Sequence, residues 1–202
     1  EGVTHSAARA KLTRWLRDQL MVQQLEVEMR CGAPTLPAAI AETVASIPRR
    51  IAYEDINFTE MNFRRVAVGA ELLGTQWRRR FGPATGERIG ILLPNVTATA
   101  VAIVGLWSVG KVPAFLNFSA GGATMLACAQ LAGLRRVITS RKFLEKARLH
   151  LEPLTAAGIE FVYLEDVREG IGGLSRLAAL LANVVRPGAA LRRAPCRAED
   201  VA

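Results

Sequence analysis

The chain has 202 residues, half of them apolar, with 17 Gly and 9 Pro, enough for one good-sized core and too apolar for a disordered segment. Its net charge is +8, but 22 of the 26 basic residues are Arg, spread along the chain without an RNP, zinc-finger or basic-zipper pattern, so no nucleic-acid partner is expected. Three scattered cysteines (Cys31, Cys128, Cys196) and two isolated histidines (His5, His150) argue against a disulfide framework, a zinc site and a histidine-based triad, and fit a reducing compartment.

Residues 4–30 carry Leu12, Trp15, Leu16 and Leu20 at helical spacing among Arg9, Lys11, Arg14, Arg17 and Asp18. This predicts an amphipathic helix ended by Cys31-Gly32, serving as a docking or linker helix or, on a sharper reading, lying on an anionic membrane surface. After Pro37, "AAIAETVASIPRR" predicts a second helix stopped before Pro48. "RIAYEDINFT" alternates like a strand or hairpin. Thr59 is the expected cap of a helix over "EMNFRRVAVGAELLG", which Gly74 closes, and "WRRRFGPATG" reads as a basic turn.

From Gly86 the pattern becomes regular. "RIGILL" is a strand, and "NVTATAVAIVGLWSVG" a helix opened by Asn95 and closed by Gly110. "VPAFLN" is the next strand, followed by "SAGGATMLACAQLAG", a helix capped by Ser119. "RRVITS" is a strand, "RKFLEKARLHLEPLTAAG" a helix and "EFVYLE" a strand. Strands and helices alternating in this way predict parallel βαβ units with right-handed crossovers. The strands are continuous apolar runs, as expected when helices cover both faces. The fold class is therefore α/β, a doubly wound, mainly parallel sheet. An Ala/Leu-rich helix (174–185) and an Arg/Pro/Ala tail follow.

The charge-free run from Ile89 to Gly110 has the length of a membrane span, but Pro94-Asn95 interrupts it. The remaining helical part of about 14 residues reaches only about 21 Å, short of a hydrocarbon core of about 30 Å. "GLWSVGKVPAF" (105–115) matches G-x-x-x-x-G-K, yet a P-loop follows a strand and opens a helix, whereas Gly110 ends a helix and Lys111 enters a strand. Val112 stands where a magnesium-binding Ser or Thr is required, and Pro113 lacks an N–H. Gly110 is instead a helix C′ residue, with Lys111 near the negative end of the helix dipole. The turn "LLPNVTATAV" lacks Gly-x-Gly, so it is no dinucleotide fingerprint. The adjacent carboxylates Glu54-Asp55 and Glu165-Asp166 are expected in caps or solvated turns, and no catalytic constellation is visible.

Five stretches in order carry a resemblance: "YEDINFTEMNFRRVAVGAELLG", "GERIGILLPN", "VPAFLNFSAGGATM", "VITSRKFLEKARL" and "FVYLED". Together they resemble the opening part of the adenylate-forming acyl-activating enzymes. Within that superfamily the likeness is to the synthetase half of the bifunctional 2-acylglycerophosphoethanolamine acyltransferase / acyl-ACP synthetase family, carried by "EDINFT", "LNFSAG", "TSRKFLEKARL" and "VYLED". The match spans residues 52–168 and extends more loosely to the N-terminal helix and "AEDVA".

The resemblance implies that ATP and a fatty acid give an acyl-adenylate and pyrophosphate. The acyl group then passes to the thiol of acyl carrier protein (or CoA), and a preceding acyltransferase domain delivers it to a lysophospholipid. It implies ATP and Mg²⁺ as cofactors of the parent enzyme, and a cytoplasmic location, peripheral at the cytoplasmic face of the inner membrane. By the same analogy residues 1–36 are linker or tail of the acyltransferase, 37–168 the N-terminal α/β subdomain, and 169–202 a helix and tail leading to a phosphate loop. That loop and the C-terminal catalytic Lys are expected beyond Ala202, in a longer protein. The acyltransferase's His-x4-Asp is not matched, since Ala10 and Thr155 stand five residues after His5 and His150. No catalytic or metal-binding residue is therefore expected within this chain, which by itself should be inert and hold no cofactor tightly. Asn117 and Ser119, at a strand-to-helix turn, are the candidates for approaching the acyl or nucleotide pocket; a turn or cap role is the alternative for both. Three other readings stay open: an ordinary acyl-CoA synthetase fragment, a noncatalytic partner-binding domain, and a membrane module built on residues 4–30.

Overall fold

A computed structural model describes residues 2–200, with side chains over 7–27 and 32–200. The side chains of His5 and Cys31 and the last two residues of "AEDVA" lie outside the described residues. The chain divides into two compact units, Glu1–Pro34 and Thr35–Ala202.

The first unit is one helix, α1 (Gly2–Cys31). Leu12, Trp15, Leu16 and Leu20 share one side of it, and all are exposed. The amphipathic pattern is confined to that stretch. Met21, Val22, Leu25 and Val27 are spread round the helix, because their spacing leaves the 3.6-residue period.

In the second unit, α2 (Leu36–Ser46) is capped by Thr35, whose hydroxyl accepts from the Ala38 N–H at 3.3 Å. An antiparallel hairpin of β1 (Ile51–Glu54) and β2 (Glu60–Asn62) follows. Asp55 Oδ1 closes its loop by accepting from the N–H groups of Asn57 (2.8 Å) and Thr59 (3.1 Å). Helix α3 (Phe63–Phe81) corrects three expectations. Its cap is Asn62, which accepts from the Arg65 N–H at 2.9 Å, not Thr59. It runs through Gly74 and takes in Arg78, Arg79 and Arg80, stopping at Gly82 with φ 74°. Gly74 is a crossing point, where an added Cβ would lie 2.4 Å from Ser108 Oγ.

The main sheet comprises β3 (Arg88–Ile91), β4 (Val112–Phe115), β5 (Arg136–Thr139) and β6 (Glu160–Tyr163), all parallel, in the order β4-β3-β5-β6. Between β3 and β4 lies α4 (Thr97–Trp107), whose N-cap residue is Val96 and not Asn95. Between β4 and β5, a short 3₁₀ turn (Phe118–Ala120) precedes α5 (Gly122–Leu131), capped by Gly121 and not by Ser119. The single helix expected over 141–158 is two, α6 (Arg141–Ala147) and α7 (Glu152–Ala156). Arg148 turns left-handed (φ 49°) between them, and Pro153 restarts the helix where its missing N–H costs nothing. Helices α8 (Leu164–Glu169), α9 (Gly173–Val185) and α10 (Ala189–Arg192) complete the chain.

One face of the sheet (Ile89, Ile91, Ile138, Val162) packs on Trp77, Phe81, Ala102, Leu106 and Val167 from α3, α4 and α8. The other (Leu92, Val137) packs on Met125, Ala129 and Leu154 from α5 and α7. Two covered faces explain why the strands read as unbroken apolar runs, and the doubly wound α/β expectation holds. A third cluster (Ala41, Val66, Ala70, Val104, Leu191) joins α2 and α10 to the α3–α4 pair. Among the described residues no helix is long and apolar enough to cross a membrane.

In the hairpin loop, Phe58 adopts φ 54° and is 83% exposed, so its ring contributes little packing to offset a left-handed backbone. Phe58→Gly is expected to raise stability by about 0.5–1 kcal/mol, the relief of αL strain less the entropy of an added Gly. A urea unfolding midpoint checks this.

Candidate functional site

The two edges of the parallel sheet differ in chemistry. At the amino edge, four residues that begin or immediately precede strands form a charge ladder in strand order. Lys111 Nζ donates to Glu87 Oε2 (2.6 Å), Arg136 Nη1 to Glu87 Oε1 (3.0 Å), and Arg136 Nε to Glu160 Oε2 (3.2 Å). The Lys111 side chain is fully buried and also donates to the Phe81 carbonyl at 3.1 Å. That carbonyl is one of the unpaired acceptors ending α3, so Lys111 serves the negative end of α3, not of α4 as its sequence position suggests. Gly110 is the C′ residue expected: its φ is +70°, and the Lys111 N–H returns to the Leu106 carbonyl at 3.0 Å. The G-x-x-x-x-G-K spacing is thus a helix stop followed by a buried tie across the sheet.

The carboxyl edge is where ligands bind in open α/β sheets, at the point where successive strands send their helices to opposite faces. Here that point lies between β3 and β5, since α4 covers one face and α7 the other. A cleft of about 250 Å³ opens there, walled by Leu93, Pro94, Val96 and Leu164, with Ser140, Glu165, Lys142 and Arg168 at its polar side. Thr139 Oγ1 donates to the Leu92 carbonyl (2.8 Å) and Thr99 Oγ1 to the Pro94 carbonyl (2.7 Å), fixing the "LLPN" turn. A larger groove of about 510 Å³ runs beside Arg78, Arg79 and Arg193, but it lies along α3, away from the carboxyl ends of the strands. The cleft is smaller than sites that enclose a whole small molecule, about 300–1,000 Å³, and has the size of part of one.

Glu165 organises the polar side. Its Oε1 accepts from Ser140 Oγ at 2.8 Å and, weakly, from the Lys142 N–H at 3.5 Å, while Oε2 is buried with no hydrogen-bond partner. Glu165 thus lines the cleft with one oxygen tied to Ser140 and the other enclosed by protein. Burial pushes the Glu165 carboxyl up, but the Ser140 hydroxyl and backbone N–H groups outweigh it and hold the group below its usual value. Next to it, Arg141 grips Asp166 through two bonds of 2.5 and 2.8 Å and lies 4.2 Å over the Tyr163 ring. The Arg141 bonds hold the Asp166 carboxyl below its usual value, against a smaller effect of burial. The carboxylate pair expected in a cap or solvated turn thus joins α8 to the start of α6.

Both carboxylates have lowered folded values, so their contribution is fully present above the unfolded carboxylate range near pH 4. It is lost as pH falls through the lowered folded values. Asp166→Asn is expected to flatten the fall in stability of the parent chain below about pH 4, with little change in slope near pH 7. Urea midpoints taken across about pH 2.5–7 compare the two.

Asn117 and Ser119 lie past the end of edge strand β4, both exposed. Asn117 Oδ1 accepts from the Ser119 N–H (3.0 Å) and Ser119 Oγ (2.7 Å), an Asx-type turn. They share the carboxyl edge with the cleft but do not line it. Ser140 and Glu165, which do, had one sequence signal: a Ser at a strand-to-helix turn, in the position of a cap. Among the described residues no group of His, Cys, Asp or Glu could hold a metal ion.

No family model matches the chain. Solved structures do share its fold. VinN in complex with 3-methylaspartate superposes with a TM-score of 0.57 at 22% identity, over 69% of this chain and 37% of VinN. The Klebsiella oxytoca NpsA N-terminal subdomain in complex with 3-hydroxybenzoyl-AMSN gives 0.55 at 14% identity, over 66% of this chain and 31% of that one. Bacillus subtilis o-succinylbenzoate coenzyme A synthetase (MenE) in complex with AMP gives 0.53 at 17% identity, over 64% and 32%. The chain spans about a third of the length of these proteins.

Proposed function

We propose that this chain is the N-terminal part of an enzyme that activates a carboxylic acid as its acyl-adenylate, a ligase of the AMP-forming acid–thiol class. The observation that carries the reading is the doubly wound fold held in common with MenE, described in complex with AMP, and with the NpsA N-terminal subdomain, described with 3-hydroxybenzoyl-AMSN. The five ordered sequence stretches support it independently. Adenylation suits such a substrate because a carboxylate becomes an acyl donor only when AMP replaces its oxide as leaving group.

The finer assignment rests on "EDINFT", "LNFSAG", "TSRKFLEKARL" and "VYLED". On that basis the acid is a fatty acid, the acceptor is acyl carrier protein (CoA in the alternative, an ordinary acyl-CoA synthetase), and the acyl group goes on to a lysophospholipid. The protein then works at the cytoplasmic face of the inner membrane. ATP and Mg²⁺ belong to the whole enzyme, and the residues described here do not fit a nucleotide's phosphates. Lys111 is buried against Glu87 and the Phe81 carbonyl, and the Gly110 N–H donates to the Trp107 carbonyl. What this chain supplies is an apolar wall, Leu93, Val96 and Leu164, beside the Ser140–Glu165 pair at the switch point. Asn117 and Ser119 are proposed to meet the substrate from the neighbouring strand end.

Two assays test the reading. The isolated 202 residues are expected to give no fatty-acid-dependent exchange of pyrophosphate into ATP; exchange by this chain would refute its partial nature. In the longer enzyme, thioester formed on acyl carrier protein and not on CoA supports the finer assignment, and the reverse selects the acyl-CoA alternative.

A further inference from the structure

Helix α9 is packed inside out. It rests on α3 through a narrow strip in which Ala179 and Asn183 are buried. Asn183 fastens that side: its Nδ2 donates to Glu71 Oε2 (2.7 Å) and the Ala179 carbonyl (3.0 Å), and its Oδ1 accepts from the Gly188 N–H (3.2 Å). The opposite side carries Leu174, Leu177, Leu181 and Val184 at i, i+3, i+7 and i+10, with Leu180 and Val185 beside them. These six are 45–85% exposed. A helix that met only water on that side would turn such a stripe inward, so this one is turned toward an apolar surface outside these 202 residues.

The surrounding charge says what. Between Gly170 and Ala198 the chain has no Asp or Glu but five Arg: Arg176, Arg186, Arg192, Arg193 and Arg197. All five are exposed, Arg176 within α9 and Arg186 at its C-terminal end. An apolar stripe about 17 Å long, bordered by Arg176 one turn before Leu180 and by Arg186 at the helix end, matches the boundary of an anionic bilayer, where the stripe enters the acyl region and guanidinium groups meet the headgroups. A second copy of the chain is disfavoured, because pairing this face with itself brings the two sets of arginines together.

We infer that α9 is a membrane-seating helix that docks this domain on anionic lipid. This does not rest on the adenylation reading, and the site is distinct from the α1 stripe that the sequence suggested.

The test is co-sedimentation of the 202-residue chain with vesicles of phosphatidylcholine alone or with about 30% phosphatidylglycerol. Binding is expected to the mixed vesicles, about tenfold weaker to phosphatidylcholine, and weakened as ionic strength rises. Leu177→Gln with Leu181→Gln is expected to weaken it about tenfold, and Arg176→Gln with Arg186→Gln to flatten its salt dependence. Both pairs are exposed, so the thermal midpoint stays that of the parent. Leu16→Gln in α1 and Phe58→Ser in the hairpin loop, also exposed apolar positions, are expected to leave binding unchanged. Failure of the parent chain, or of the longer enzyme that carries it, to bind mixed vesicles overturns the inference, as does parental binding by the Leu177/Leu181 variant. So does a dimer in sedimentation velocity that the same variant dissociates.

Discussion

Replacing Trp77 by Ala is expected to cost about 4 kcal/mol of stability, the largest effect of any single change proposed here. Trp77 is fully buried in α3, stacks on Phe81 with ring centroids 5.4 Å apart, and sits in the cluster formed with Ile89, Ile91 and Ile138 of the sheet. Gly105 of α4 is small because of it, since a Cβ there would lie 3.2 Å from Trp77 Nε1 and 3.0 Å from Leu73 Cβ. Truncation therefore opens a cavity where α3, α4 and the sheet meet, and close-packed helices collapse into it only partly. Trp77→Phe separates two terms. It loses part of the ring volume but also removes an indole N–H that is buried without a hydrogen-bond partner. The two oppose, and a cost of about 1 kcal/mol is expected. Urea unfolding gives both values. A Trp77→Ala cost below that of Trp77→Phe would mean that the ring is not the keystone of this layer.

Lys111→Met is expected to cost about 2–3 kcal/mol, and here the size of the loss separates two roles for the same residue. A lysine that grips a nucleotide phosphate stands ready for it in the free protein, and its loss leaves stability nearly unchanged. The Lys111 in this fold is already committed. Its removal leaves the Phe81 carbonyl unpaired and Glu87 with Arg136 alone, and breaking a buried pair from one side costs about 3–5 kcal/mol. Glu87 is 26% exposed, so water takes up part of the loss and the lower figure applies. The pairing is tested by a double-mutant cycle with Glu87→Gln, in which a coupling of about 1–2 kcal/mol is expected. A coupling near zero would show that the ladder contributes nothing along the amino edge.

The α/β architecture was legible in the chain because apolar runs of strand length recur between helical stretches, and two-sided burial of a parallel sheet leaves few other readings. The helix ends were less legible. Thr59, Asn95 and Ser119 each have the side chain for a cap, but the caps are Asn62, Val96 and Gly121. Sheet pairing extends the hairpin to Asn62, and Asn117 already holds Ser119 in its own turn. Gly74 looked like a stop because propensity alone penalises it within a helix. Its reason is the crossing with α4, which no local pattern contains.

Of the candidate site, the sequence indicated the carboxyl-edge turns but not which one forms the cleft. That depends on strand order. β5 lies beside β3 and not β4, and only this order brings Ser140 and Glu165 to the "LLPN" turn. The outward stripe of α9 was hidden for the same reason, since Leu at helical spacing states that one face is apolar and not which way it points.

These residues are proposed to form the opening part of an acid-adenylating enzyme. The most direct test is to trap the acyl-adenylate with hydroxylamine in the longer enzyme that carries this chain, supplied with ATP, Mg²⁺ and a series of fatty acids. Acyl-hydroxamate that depends on both ATP and fatty acid, with pyrophosphate released in equal amount, is the predicted result. An enzyme that is folded and intact yet forms no hydroxamate with any carboxylic acid offered would contradict the account.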